Sequence, residues 1–170
     1  MATSGEEQFQ PRERTRFERI AEAIGSSRPG SWWFVNAAPF IDRPLMRISG
    51  GRFTSAGLGR VGLLKVRGAK TGELRETPLV YTRDGDDLLL VASRGGDVKH
   101  PAWYRNIVAN PDVSFVAPGE EHDYRARTIE PGPERERAWF LVCERYAGYR
   151  VYAQRAGARV IPVVRLEPVP

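Results

Sequence analysis

The chain is poor in the residues that build disulfides, metal centres and membrane spans. Cys143 stands alone among 170 residues, so no internal disulfide can form, and two histidines with one cysteine give no metal-ligand spacing. No apolar run reaches the roughly 18 residues of a membrane helix, and the first residues show no charged, apolar and cleavable succession of a secretory leader. A cytoplasmic protein is therefore expected. Lysine is scarce as well: of 26 basic residues only three are Lys, which leaves planar arginine as the main cation.

Apolar residues are not scarce. At 41% of the chain, with seven Phe, six Tyr and four Trp, they supply enough surface for one compact core and exclude a disordered chain. The formal charge of +5 is unevenly placed, since residues 43–75 alone carry a net +7 while the flanking stretches are neutral or slightly acidic. A localised basic stretch implies an anionic partner: a phosphorylated ligand, nucleic acid or an acidic membrane surface. Nucleic acid is disfavoured, because the cations interrupt apolar strands and glycine turns and no helix-turn-helix, zinc finger or aromatic RNP pattern is present.

Periodicity orders the chain into an α+β pattern. Phe17, Ile20, Ala21 and Ile24 recur at helical spacing after Pro11, predicting an amphipathic helix ending near Gly25 within a variable N-terminal segment, residues 1–40. The aromatic segment 32–46 follows, suited to packing on the core, capping a pocket or touching lipid, and residues 41–170 read as a single domain. Strands are expected at 61–67, 77–83, 88–93, 113–116, 124–129 and 160–166, with hairpins at Asp84-Gly85-Asp86 and Pro118-Gly119. Pro101 and Pro133 introduce two helices, the second carrying Ala138, Val142 and Tyr146 on one face. So many short strands in one small domain favour a mainly antiparallel barrel.

Three clusters bear on chemistry. Gly68-Ala69-Lys70-Thr71-Gly72, with Arg75 and Thr77-Pro78 behind it, can bring backbone N–H groups, cations and hydroxyls to an anion, although it is not a Walker A loop. Ser93-Arg94-Gly95-Gly96 follows an apolar strand and offers a hydroxyl and a guanidinium. Lys99-His100-Pro101-Ala102-Trp103-Tyr104-Arg105-Asn106 opens a helix whose N-terminus favours anions. Each cluster alone is equally a solvated turn or a core-packed helix start.

Together with A-N-P at Ala109 and I-P-V-V-R-L-E-P at Ile161, these clusters resemble the deazaflavin-dependent nitroreductase family, which uses coenzyme F420. The resemblance runs from about Pro44 to Pro168 and implies a split β-barrel related to flavin-binding oxidoreductases. By matching positions it implies cofactor contacts at Ala69, Lys70, Thr71, Arg75, Glu76, Thr77, Pro78, Leu79 and Val80. It implies further contacts at Val91, Ala92, Ser93, Arg94, Ala102, Trp103, Tyr104, Arg105 and Asn106. Lys70, Arg75 and Arg94 would meet the phosphodiester or oligoglutamate tail, Arg94 standing where many relatives have Lys. The ring would rest on Pro78, Val91 and Trp103. Arg43, Arg47, Arg52 and Arg60 either extend the path of the tail or are solvated.

Tyr146, Tyr149 and Tyr152, three apart, are either a stripe packing on the barrel or, as the resemblance implies, the acceptor side of the pocket; the proton that a reduced acceptor needs would come from Tyr149 or Tyr152 or from ordered water. Ala147 stands where relatives commonly have Pro. His100 and His122 are secondary donor candidates. The expected activity is hydride transfer from reduced coenzyme F420 to a quinone, nitroaromatic or other activated small-molecule acceptor. An FMN-dependent reductase on the same barrel, a non-catalytic cofactor or lipid carrier, and peripheral membrane contact stand as alternatives, and the oligomeric state is left open.

Overall fold

The computed structural model describes residues 61–117 and 120–169, with Ser27, Pro29, Gly30 and Pro44. The expected N-terminal helix, the 32–46 aromatic segment apart from Pro44, and Arg43, Arg47, Arg52 and Arg60 lie outside the described residues.

Six strands close into an antiparallel barrel. They are β1 (Val61–Arg67), β2 (Leu74–Asp84), β3 (Asp87–Val91), β4 (Asp112–Ala117), β5 (Glu120–Thr128) and β6 (Val163–Pro168), in the spatial order β1-β2-β3-β6-β5-β4, with β4 returning to β1. Closure leaves no unpaired sheet edge. The helices wholly within the described residues are α1 (Ala102–Ala109), α2 (Pro133–Arg145) and α3 (Gly148–Ala156).

Alternation along β3 shows why its sequence is uninterruptedly apolar. Leu88 and Leu90 point into the barrel with Val164 and Leu166, while Leu89 and Val91 point outward beneath α2 and α3 with Val163. A strand covered on both faces has no polar side to reveal. Phe115, 1% exposed, fills the interior edge-on to Tyr81, with centroids 5.3 Å apart. Its ring occupies the space that a Cβ on Gly62 would need. Burial of such a ring stabilises the fold by about 2 kcal/mol.

The six strands and the helices at Pro101 and Pro133 lie close to where periodicity placed them, with four main differences. β5 begins at Glu120 rather than 124, because β4 pairs with it as far as Ala117↔Glu120. β2 begins at Leu74, because β1 pairs with it all the way to Arg67↔Leu74. The third strand stops at Val91 and the chain turns through a 3-10 segment, Arg94–Gly96, in which φ is positive at all three residues. The last strand starts at Val163, since Arg159 to Pro162 is taken up in contacts with neighbouring loops.

The C-terminal helical segment is also two helices. α2 ends at Arg145, and Tyr146 adopts an extended conformation (φ −146°, ψ 103°) before α3 begins at Gly148. Tyr146 therefore leaves the helical face of Ala138 and Val142, although all three are buried. Gly148 makes the break possible: a Cβ there would overlap the Tyr146 ring.

Opposite the break, Arg165 on β6 is 8% exposed and gathers Asp84 (2.9 Å), Asp87 (2.6 Å) and Glu134 (2.9 Å). This ties the β2–β3 turn to α2. Arg137 grips the same Asp84 carboxylate with two nitrogens at 2.7 and 2.8 Å.

Candidate functional site

Antiparallel order brings two of the three clusters to one end of the barrel. β1 runs toward the 68–72 turn, β2 runs away from it, and β3 returns toward it before entering Arg94–Gly96. The third cluster, on α1, is joined to the first by a hydrogen bond: the Ala69 N–H donates to Asn106 Oδ1 at 3.1 Å. Asn110 Nδ2 donates to the Arg67 carbonyl at 3.2 Å, so the far end of α1 also grips the end of β1.

The 68–72 turn is closed by its own backbone. Gly72 N–H donates to the Gly68 carbonyl and Gly68 N–H to the Glu73 carbonyl, both at 2.8 Å, and Gly72 has φ +69°. Thr71 Oγ1 accepts from the Glu73 N–H and from Arg75, whose guanidinium also pairs with Glu73 at 2.5 Å. Ala69, Lys70 and Thr71 are exposed, and Lys70 makes no ion pair among the described residues. Its ammonium is thus free to meet an anion, whereas Arg75 is already partly neutralised.

Residues 75–80 form a strand, so they divide between two faces. Leu79 packs with the barrel interior. Val80 packs outside with Val61 and Leu63, and Pro78, paired with Leu63, shares that outer face with Glu76 and Val80. Arg75 and Thr77 alternate with them toward the interior side. A single ligand can meet only one set of these side chains directly.

β3 divides its cluster in the same way. Val91 belongs to the outer layer with the three tyrosines, while Ala92 lies in the barrel core. Ser93 is buried, and Arg94 is half-buried with φ +49°, a conformation non-glycine residues seldom adopt. Its guanidinium reaches Asp97 at 3.3 Å through Nε and the His100 carbonyl at 3.4 Å through Nη1. Gly96 lets α3 sit directly on this turn, because a Cβ there would stand 2.6 Å from Arg155 Cβ and 2.7 Å from the Tyr152 carbonyl oxygen.

On α1, Ala102 and Arg105 are exposed and Asn106 is half-buried, while Trp103 and Ile107 face the core. Trp103 is 7% exposed and sits edge-on to Tyr104, whose hydroxyl bonds Thr128 Oγ1 at 3.1 Å. The indole therefore seats α1 on the barrel.

The tyrosines form one buried group. Tyr146, Tyr149 and Tyr152 pack with centroids 5.1 to 6.3 Å apart, and the hydroxyls of Tyr146 and Tyr152 lie 3.1 Å apart. Burial pushes the Tyr149 phenol above its ordinary pKa, so it keeps its proton through the neutral range. His122 is not part of this assembly: it lies exposed on β5 beside Glu120. His100 lies at the entry to α1 instead, at a tilt to Tyr104 with centroids 5.1 Å apart.

Arg159 was not visible as a site residue in the sequence. It lies between α3 and β6, outside any motif or periodic pattern, yet it donates to the carbonyls of Ala92, Ser93 and Asp97. No local signal could have shown this, since its partners are more than 60 residues away.

An exposed glycine turn carrying an ammonium with no ion pair among the described residues, a strained arginine turn and an apolar outer face beside a tyrosine cluster suit a ligand with an anionic arm and a flat ring. On a closed antiparallel barrel, this defines a split-barrel protein of the flavin and deazaflavin type. Residues 44–168 match the family of F420H(2)-dependent quinone reductases, and the chain belongs to that family. It is accordingly an oxidoreductase with coenzyme F420 as its cofactor.

The F420H(2)-dependent quinone reductase Rv1261c of Mycobacterium tuberculosis is 43% identical over 105 residues, covering 61% of this chain and 70% of the relative. A solved F420-H2 dependent reductase, FDR-A, superimposes with a TM-score of 0.59 at 41% identity, covering 63% of this chain and 93% of that one. A second solved chain, described as a domain-swapped dimer, has the same TM-score at 34% identity and covers 89% of this chain and 94% of its own.

Proposed function

We propose that the protein reduces a quinone, or a similarly activated acceptor such as a nitroaromatic, with coenzyme F420 held at the barrel end formed by the 68–72 turn, the 91–94 segment and α1. The observation that carries this reading is the convergence of three segments distant in sequence, the 68–72 turn tied to α1 by the Ala69–Asn106 hydrogen bond and Arg94 reaching the His100 carbonyl at the entry to α1. The reduced coenzyme supplies a hydride when bound.

The chain's own residues bind and orient. Lys70 and the exposed N–H groups of its turn take the phosphodiester or the acidic tail, and Arg94 adds a second cation through Nη2, which has no partner among the described residues. Pro78, Val80 and Val91 supply an apolar outer face for the ring. Tyr146, Tyr149 and Tyr152 border the acceptor side and exclude water there, and a hydroxyl of this group or ordered water delivers the proton the reduced acceptor needs.

Mixing the protein with reduced coenzyme F420 and menadione, and following the deazaflavin absorbance, tests the reading. Acceptor-dependent reoxidation is expected. No coenzyme binding at micromolar concentration, or a purified protein carrying FMN with flavin fluorescence, overturns it.

A further inference from the structure

The loop from Ala92 to His100 joins β3 to α1 and carries Ser93 and Arg94 of the proposed site, and one side chain outside it organises it. Arg159 is anchored by its own backbone N–H to the Ala156 carbonyl at 3.1 Å, just past the end of α3. Its guanidinium donates from Nε to the Asp97 carbonyl (2.7 Å), from Nη2 to the Ser93 carbonyl (2.8 Å) and from Nη1 to the Ala92 carbonyl (3.2 Å). A fourth contact runs from Nη1 to Nδ1 of His100, at 3.4 Å. Four acceptors from one loop thus converge on one planar donor fork.

A guanidinium has donors only, so the ring nitrogen facing it must accept. A neutral imidazole that accepts at Nδ1 carries its proton on Nε2. We propose that Arg159 is a positioning residue of the coenzyme site: it shapes the 92–97 turn and fixes His100 as the Nε2–H tautomer, providing an N–H donor for an oxygen of the bound coenzyme. The neutral state is favoured from every side, because burial and the nearby Arg159 and Arg105 charges all push the imidazole below its ordinary pKa. Of the other charged groups of the loop, Arg94 and Asp97 pair with each other at 3.3 Å, and the backbone N–H of Lys99 donates to Asp97 Oδ1 at 3.0 Å.

The assignment rests on the proposed coenzyme site, and the measurements separate the two. Long-range 15N–1H NMR of the coenzyme-free protein reads the His100 tautomer directly. Wild type is expected to show protonated Nε2 and unprotonated Nδ1, and Arg159→Met a mixture. Wild-type protein with the proton on Nδ1 overturns the proposal whether or not coenzyme binds.

Fluorescence titration with coenzyme F420 then reads the positioning. Arg159→Met and Arg159→Lys should both bind about tenfold more weakly or worse, since an ammonium keeps the charge but cannot span four acceptors. KM for the coenzyme should rise more than kcat falls. Lysine restoring wild-type affinity overturns the positioning role. Should the Arg159 variants fail to fold, His100→Gln, whose amide can reach the Nε2 position, should keep most of the affinity that His100→Asn loses. Equal affinities in that pair also overturn the proposal. Failure of wild type to bind coenzyme would remove the site reading and leave the tautomer result standing on its own.

Discussion

Replacing Gly96 by alanine separates two physical effects that meet in one turn. The position has φ +85°, where an alanine costs about 1–2 kcal/mol because its Cβ crowds the following carbonyl. The new methyl would also stand 2.7 Å from the Tyr152 carbonyl oxygen and 2.6 Å from Arg155 Cβ, well inside contact distance. Backbone is the obstacle on one side, so α3 must shift, and such overpacking costs about 1–3 kcal/mol more. Together these give about 2–5 kcal/mol, or a fall in Tm of about 10 °C for a domain of this size. Gly72, in the 68–72 turn, is the control: it has φ +69°, but nothing lies within 4 Å of its would-be Cβ. Gly72→Ala should cost only the conformational part, about 1–2 kcal/mol. Thermal and urea unfolding of both variants measures the difference. Equal losses of stability would refute the close seat of α3 on the Arg94–Gly96 turn, and with it the link between the tyrosine cluster and the arginine turn.

Asn106→Ala removes the acceptor for the Ala69 N–H and should cost about 0.5–1.5 kcal/mol of stability, while weakening coenzyme binding in a fluorescence titration by several-fold. Unchanged affinity would show that the 68–72 turn needs no support from α1. Tyr149→Phe should lower kcat with a quinone acceptor by less than about tenfold, as expected for a pocket wall rather than an obligatory acid. Its raised phenol pKa also predicts no titration limb from Tyr149 in the neutral range, and a loss of about 100-fold or more would make it the proton donor instead. Arg165→Met removes the Arg165 ion pair of Asp87 and leaves Asp84 held by Arg137 alone, and should cost about 1–3 kcal/mol at pH 7 by urea denaturation. The Asp84 carboxyl is held below the usual range, first by its hydrogen bonds to Arg137 and then by Arg165, and Glu134 is lowered by Arg127. The unfolded chain therefore takes up these protons first as pH falls, so the stabilisation is complete above about pH 4 and fades below it. The gap between variant and wild type should narrow there.

The barrel was largely legible because burial imposes a pattern. Leu88, Leu89, Leu90 and Val91 had to be a strand covered on both faces, and Asp84-Gly85-Asp86 had to be a turn, with Gly85 at φ +65°. Strand ends were less legible, since β2 extends to Leu74 only because β1 offers it a partner as far as Arg67. The break at Tyr146 was hidden for a related reason: helical spacing continues through Ala147, and only the crowding of the Tyr146 ring against Gly148 shows why the chain leaves the helix.

The localised basic stretch announced an anionic partner, and its motifs carried the resemblance that the family match then supported. Of that charge, Lys70 stands at an exposed turn with no ion pair among the described residues, and Arg75 pairs with Glu73. By itself the sequence determined the elements, the barrel class and the segments that carry the cofactor motifs, because periodicity and turn chemistry are local properties. Only the tertiary structure decided which face each residue of those segments occupies, that Trp103 serves the core, and that Arg159 reaches back more than 60 residues to hold the 92–100 loop. Those facts depend on which backbone groups meet across space, and no spacing along a chain records them.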